Sequence, residues 1–268
     1  MVVYIKIQTL KTFIKKEGEM TFFKISRQVI KPLNIPVTKY IPYGPERHTV
    51  LFIHGGSKVF SQGLFNKNIF KILALSGMCS VTFDFRGMIL GGPDFYETGL
   101  HTRIQDADAV IDHLKLDQPS ITNKLTVIGL SMGACVAAHI ANKHKPKNLI
   151  LVAPAVYDKK LVEEQVPFGE RFSEIIRKKD SWKASDSFKF MEQYFGSFLV
   201  VQYQKDEVVP HEVPFMLFLA NHHFFDKEER DSSFTVLKNL THINLFSSKN
   251  KKEKMFLSHL LPWIEERI

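Results

Sequence analysis

Short apolar runs, each cut off by glycine, proline or a polar cluster, recur along this chain with helix-length segments between them. "HTVLFIHGG" (48–56), "MCSVTFDFRG" (78–87), "KLTVIG" (124–129), "NLILVAPA" (148–155) and "SFLVVQYQ" (197–204) are rich in β-branched and aromatic residues and too short for helices. "TFFKIS" (21–26), "IPVTKYIP" (35–42) and "FTVLKNL" (234–240) read as further strands. Apolar residues fall at helical spacing in 64–76, 101–116, 131–144, 213–223 and the closing "KKEKMFLSHLLPWIEERI". In the 101–116 segment, Ile104, Ala107, Val110, Ile111 and Leu114 form one face. A strand that is apolar on both faces must be covered on both faces. Strands separated by helices pair in parallel through right-handed crossovers. The expected fold is therefore α/β: a doubly wound, mostly parallel sheet flanked by helices. Only 156–196, charged and aromatic, inserts helical sequence without a strand of its own. In such sheets ligands sit beyond the carboxyl ends of the strands, so chemistry-bearing residues should cluster just after strands.

With 268 residues the chain can form one large domain. Residues 1–19 are a candidate N-terminal extension, 156–196 a candidate lid or cap, and Met20 an alternative start. No apolar stretch approaches the roughly 18 residues that span a bilayer. The first 20 residues lack the continuous apolar segment and small-residue cleavage site of a secretory signal. The two cysteines, Cys79 and Cys135, lie in apolar surroundings, which favours a reducing, cytoplasmic setting over a disulfide framework. The net charge of +8 is scattered, and its densest clusters, at 177–179 and 249–254, are short. No nucleic-acid partner is expected, since basic residues are not interleaved with aromatics and no zinc-finger spacing occurs. An anionic substrate or a lipid surface has only this charge in its favour. Oligomeric state leaves no trace in the sequence.

"TVIGLSMGACVAAHIA" (126–141) carries the most specific chemistry. Gly129-Leu130-Ser131-Met132-Gly133 fits G-x-S-x-G, placed where a strand gives way to a small-residue helix. There the glycines let strand and helix pass close to a serine held in a tight turn, its hydroxyl lifted above the sheet edge. The bland alternative is a plain strand-to-helix turn with a capping serine. A serine hydroxyl needs a base to take its proton and an acid to orient that base. Asp206 and Glu207 follow one late strand, His242 follows the next, and Asp158 follows an earlier one.

The chain resembles the α/β-hydrolase family of esterase- and lipase-like serine hydrolases, through "HGG" (54–56), "DFRG" (84–87), "GLSMG" (129–133), "KDEVVP" (205–210) and "THINLF" (241–246). The resemblance implies Ser131 as nucleophile, His242 as base and Asp206 as acid, preferred over Glu207 by its distance from Val209-Pro210. Asp158 is the second candidate acid, because some relatives carry the acid after that earlier strand. The backbone N–H groups of Gly56 and Met132 are implied as an oxyanion hole, with His54 as a loop organiser and "DFRG" as a structural turn. Met88-Ile89-Leu90 delay the glycines that usually follow that turn, so the adjoining loop should differ in shape. Asp106 and Asp108 are expected as surface or capping charges.

Other motifs fail. "HEVPF" (211–215) has Phe215 where a zinc-binding H-E-x-x-H needs its second histidine, and "HGGSK" lacks phosphate-loop spacing. No metal or cofactor is expected. Of the other histidines, His211, His222, His223 and His259 fall on helical stretches and are expected at the surface. Phe168, Phe172, Trp182, Phe188, Phe190, Tyr194 and Phe195 either line an acyl site or pack a helical excursion onto the core. The expected activity is hydrolysis of a carboxylic ester or thioester of a small-molecule acyl substrate. The rivals are peptidase or amidase chemistry on the same residues, and a catalytically silent binding protein, whose hallmark would be a broken triad or a lost oxyanion glycine.

Overall fold

The computed structural model of the chain describes residues 23–56, 67–89, 91–222, 230–242 and 253–268. The candidate extension 1–19 and His223 lie outside them. Eight strands form one sheet: β1 (Phe23–Ile30), β2 (Ile35–Pro42), β3 (His48–Ile53), β4 (Met78–Phe83), β5 (Leu125–Leu130), β6 (Asn148–Val152), β7 (Ser197–Tyr203) and β8 (Ser232–Leu237). Their spatial order is β1-β2-β4-β3-β5-β6-β7-β8. β1 and β2 are joined by a four-residue turn with no helix between them, so they pair antiparallel, and β2 runs antiparallel to β4. Every other neighbouring pair is parallel.

The period of two along each strand sorts the core into two layers. Leu51, Val127, Leu149 and Val200 face one layer, where α2 (Leu100–Asp117), α3 (Met132–His144) and α7 (Glu212–His222) pack. Val50, Ile128, Ile150 and Val201 face the other, covered by α1 (Lys67–Leu75), a π-turn Phe256–Leu260 and α8 (Leu261–Glu265). Helices thus lie on both faces, as a doubly wound sheet requires. From central β3 the chain first steps outward to β4 and then back across to β5, so β3 and β5 flank a topological switch point.

Between β6 and β7 the segment 156–196 forms α4 (Lys160–Glu163), α5 (Glu170–Arg177) and α6 (Ser187–Glu192), without a strand. Among the described residues no helix is long and apolar enough to cross a membrane.

Candidate active site

β5 delivers Leu130 to the sheet edge and α3 starts at Met132, leaving Ser131 alone to turn the chain. It does so at φ 54°, ψ −121°. Backbone bonds pin the turn: Ser131 N–H donates to the Val152 carbonyl at 2.9 Å, and the Ser131 carbonyl accepts from Ala134 (2.9 Å) and Ala155 (3.2 Å). The flanking glycines are steric necessities. A Cβ on Gly133 would stand 2.4 Å from the Ile53 carbonyl oxygen, and one on Gly129 2.6 Å from Ala137 Cβ. Ser131 stands at the N-cap position of α3, but its side chain makes no cap bond.

The serine hydroxyl lies 2.8 Å from His242 Nε2, and His242 Nδ1 lies 2.8 Å from Asp206 Oδ2. An ionised carboxylate only accepts, so Nδ1 carries the proton and Nε2 presents its lone pair to the serine O–H. Asp206 and His242 are 5% and 7% exposed at their side chains. Asp206 Oδ1 accepts from the N–H groups of Val208 and Val209, both at 2.9 Å, which fixes the carboxylate in its own turn. Burial pushes its pKa up, but the bonds from His242, Val209 and Val208 outweigh that and hold it below the usual value.

Both other candidate acids have different partners. Glu207 accepts the backbone N–H of His242 at 3.0 Å, bracing the loop that carries the imidazole. Asp158 pairs with Lys160 at 3.0 Å. Among the other histidines, His211 meets Gln202 and His222 meets Ser232, while His259 is exposed.

The loop after β3 lies over the serine. A Cβ on Gly55 would touch Ser131 Cβ at 3.2 Å, and one on Gly56 would touch Met132 Cε at 3.1 Å. His54 is fully buried beneath it, its ring edge-on to Phe85 and its Nδ1 3.0 Å from the Gly55 carbonyl oxygen. Burial, followed by the charge of Arg103, pushes its pKa down to about 3, so it stays neutral. Met132 N–H opens α3, among the helix N–H groups that have no intrahelical acceptor.

Two surface expectations are corrected. Asp106 is fully buried, because its oxygens accept the backbone N–H of Arg86 (2.9 Å) and the Arg86 Nε–H, tying the "DFRG" turn to α2. Asp108 is half-buried and joins α2 to α3 through Lys143 and His144.

The aromatics of 156–196 divide. Phe168 and Phe172 are buried with Leu100, Leu161 and Val166 in a cluster that also takes in Phe95, Tyr157 and Met132, the residue beside Ser131. Trp182, Phe188, Phe190 and Tyr194 pack on the main core, and exposed Phe195 lies 4.2 Å from the Arg230 guanidinium. A cavity of about 450 Å³, lined by Trp182, Val209 and Val213 and by the charged Lys178, Lys179 and Glu212, joins the insertion to the turn that holds Asp206. Ser131 is not among its lining residues.

One residue bound to the Gly55 loop was missed in the sequence. Arg103, in the first turn of α2, is 2% exposed and donates through Nη1 to the Gly55 carbonyl at 2.8 Å. The signal was present: Leu100, Arg103, Ala107, Val110 and Leu114 fall at core spacing and are all buried, whereas Ile104 is only half-buried. A charged residue on the apolar stripe of an amphipathic helix marks an interior task.

The family model of the serine aminopeptidase S33 family matches residues 44–221. No curated protein matches the chain. Among solved structures, a Bacteroides ovatus ATCC 8483 protein assigned as a dipeptidyl aminopeptidase IV aligns at 12% identity and TM-score 0.67, covering 92% of this chain and 36% of that one. Esterase 2 of Thermogutta terrifontis, phosphoramylated by tabun, aligns at 14% identity and TM-score 0.67 over 93% of this chain and 96% of that one. Acylaminoacyl peptidase of Pyrococcus horikoshii aligns at 15% and 0.68 over 96% and 44%. This chain thus spans less than half of either peptidase and nearly all of the esterase. At these identities the likenesses speak for the fold. The chain belongs to the serine aminopeptidase S33 family and, through it, to the serine hydrolases of the α/β-hydrolase superfamily.

Proposed function

We propose that the protein hydrolyses a carboxylic ester or thioester of a small-molecule acyl substrate through an acyl-enzyme on Ser131. The observation that carries this reading is the hydrogen-bonded series from Ser131 Oγ to His242 Nε2 and from His242 Nδ1 to Asp206, with the serine in a strained turn. His242 takes the hydroxyl proton as Oγ attacks the carbonyl, and Asp206 stabilises the imidazolium. The N–H groups of Gly56 and Met132 receive the charge that develops on the carbonyl oxygen. His242 then protonates the leaving alcohol or thiol. In the second half it draws a proton from water as the oxygen attacks the acyl carbon, and passes that proton to Ser131 Oγ as the C–Oγ bond breaks and the carboxylic acid leaves.

Substrate class is argued from charge. An aminopeptidase must hold the α-ammonium of its substrate with a carboxylate. Among the described residues the buried charge next to the Gly55 loop is instead a guanidinium, Arg103, which repels an ammonium. Met132 beside the nucleophile, packed with Tyr157 and Phe168, suits an acyl chain, and we assign 156–196, which supplies the last two, as the cap over it. Peptide or amide hydrolysis is the second reading, favoured by the description of the matched family. A cytoplasmic location is proposed on the two buried, unpaired cysteines.

The test is covalent labelling by a fluorophosphonate probe, followed by rates on p-nitrophenyl esters, acyl thioesters and aminoacyl p-nitroanilides. Labelling is expected for the wild type and lost in Ser131→Ala, and Asp206→Asn should lower kcat by about 10⁴. Unlabelled, well-folded wild type would refute the hydrolase reading. Anilides cleaved faster than esters would replace it with the peptidase.

A further inference from the structure

Arg103 is a buried cation that feels the charge of Asp106 but has no hydrogen-bonded carboxylate among the described residues. Its neighbour Asp106 accepts its hydrogen bonds from Arg86, and no acidic group among the described residues reaches Arg103 within ion-pair distance. Three aromatic rings surround it instead, with the guanidinium carbon 4.6 Å from the centroid of Phe85, 4.9 Å from Phe168 and 5.9 Å from Phe95. Cation–π contacts return part of the desolvation cost of such a charge. A methionine would fill the same space without that cost, so the charge calls for an explanation in function.

The hydrogen bond supplies it. Arg103 Nη1 donates to the Gly55 carbonyl, and the same oxygen lies 3.0 Å from His54 Nδ1. A carbonyl only accepts, so His54 carries its proton on Nδ1, and the peptide oxygen receives two donors. That carbonyl and the N–H of Gly56 belong to one planar unit and point in opposite directions. Holding the oxygen therefore aims the N–H. With no Cβ on Gly55 or Gly56, backbone sterics alone would leave the plane free to rotate. Two donors on the oxygen also draw electron density through the amide, which strengthens its N–H as a donor.

We propose that Arg103, with His54, clamps and polarises the Gly55–Gly56 peptide so that Gly56 N–H is held toward the oxyanion position. Arg103 is thus a positioning residue for hydrolysis. The inference rests on the proposed hydrolase reading and on Gly56 as an oxyanion donor. Burial holds the Arg103 pKa down to about 10, which leaves it cationic at neutral pH.

The experiment compares full-length wild type, Arg103→Met and Arg103→Lys in ester kinetics, in inhibition by an alkyl trifluoromethyl ketone, and in thermal unfolding. The ketone forms a hemiketal oxyanion with the serine, so it reads the oxyanion hole where KM does not. Removing a whole oxyanion donor costs roughly 100–1000-fold in kcat, so misaiming one should cost about 10–100-fold. Arg103→Met is expected to show that loss with KM within about threefold, and ketone affinity should fall by the same factor. Arg103→Lys, which keeps the charge but loses the planar fork, should lie between. If Arg103→Met fails to fold, the lysine variant decides by the same kcat and ketone measures.

Unchanged kcat in a folded variant would overturn the clamp while leaving the hydrolase intact. A loss confined to KM, with ketone affinity preserved, would also overturn it and make Arg103 a substrate-binding residue. Wild type that neither labels with fluorophosphonate nor turns over esters would overturn the underlying reading, and the clamp with it.

Discussion

Ser131 is expected to cost the protein stability, and the cost can be isolated by comparing Ser131→Gly with Ser131→Ala. Other non-glycine residues with positive φ include Lys145 (φ 49°, ψ 56°) and Asp180 (φ 59°, ψ 18°), in or near the left-handed helical well. Ser131, at ψ −121°, lies far from it, in a region that side chains rarely occupy. Such a residue stores about 1–3 kcal/mol, which glycine releases and alanine does not. Two terms oppose the gain. Glycine adds about 0.4–1 kcal/mol of unfolded-state freedom, and losing the Cβ packed on Gly55 removes at most about 0.8 kcal/mol of burial. The balance favours the glycine variant by about 1 kcal/mol.

Both variants lose the hydroxyl and its bond to His242, so that contribution cancels between them. In a domain of this size about 1 kcal/mol corresponds to about 2–4 °C in Tm, within reach of a thermal scan. Urea midpoints should move in the same order with equal slopes. Neither variant should hydrolyse ester. A Ser131→Gly protein that unfolds at or below the temperature of Ser131→Ala would refute the account of this turn as strained.

Other consequences follow from burial and close approach. His48 and His54 are held neutral, at about 4 and about 3, each chiefly by desolvation, whereas the unfolded chain takes up protons near pH 6.5. Their contribution is full above that pH and drains away as pH falls toward their folded values, so urea midpoints should decline between pH 7 and 5, and a flat profile there would contradict it. Gly133→Ala forces a Cβ against the carbonyl oxygens of Ile53 and His54, at 2.4 and 2.5 Å, so the β3 loop must move off α3. Expect a loss of about 1–3 kcal/mol and a fall in labelling rate. Asp106→Ala strands the Arg86 donors and should cost about 3 kcal/mol, read as a lowered urea midpoint with little effect on KM.

The sheet was legible because its strands carry their own signal. "IPVTKYIP" fills β2 end to end, and the runs at 124–129 and 197–204 are β5 and β7 to within a residue. Ser131, His242 and the candidate acids Asp206, Glu207 and Asp158 could be picked out because each follows such a run, parallel strands delivering their carboxyl ends to one edge, and the choice of Asp206 among the acids came from the family resemblance. What escaped was the interior of α2. Two charged residues on that helix, Arg103 and Asp106, are buried, and each depends on a partner distant in sequence: the Gly55 carbonyl, 48 positions away, and Arg86, 20 positions away. Local periodicity is blind to such partners, so a buried aspartate reads as a surface charge until the turn it binds is folded against it. The same limit applied to 156–196. Its aromatics are plain in the sequence, but the division that buries Phe168 beside Met132 and leaves Phe195 exposed arises only from tertiary packing.

Costs of this kind also locate the site independently of any motif. Buried polar atoms without a partner occur in several places, including Asn148 Oδ1 and Trp263 Nε1, so one alone indicates nothing. Around Gly55, however, three different penalties meet: the backbone strain of Ser131, the buried charge of Arg103, and the orphaned Nε2 of His54. Each opposes folding and each touches the same loop, while the strands that lead there are buried throughout, with their polar residues, His48, Thr49, Thr126 and Asn148, confined to their starts. Three such penalties meeting at one sheet edge mark where stability has been given up for chemistry. Relieving any one of the three should therefore stabilise the chain or leave its stability unchanged while slowing hydrolysis. The Ser131→Gly and Arg103→Met variants test that coupling from opposite sides of the same peptide.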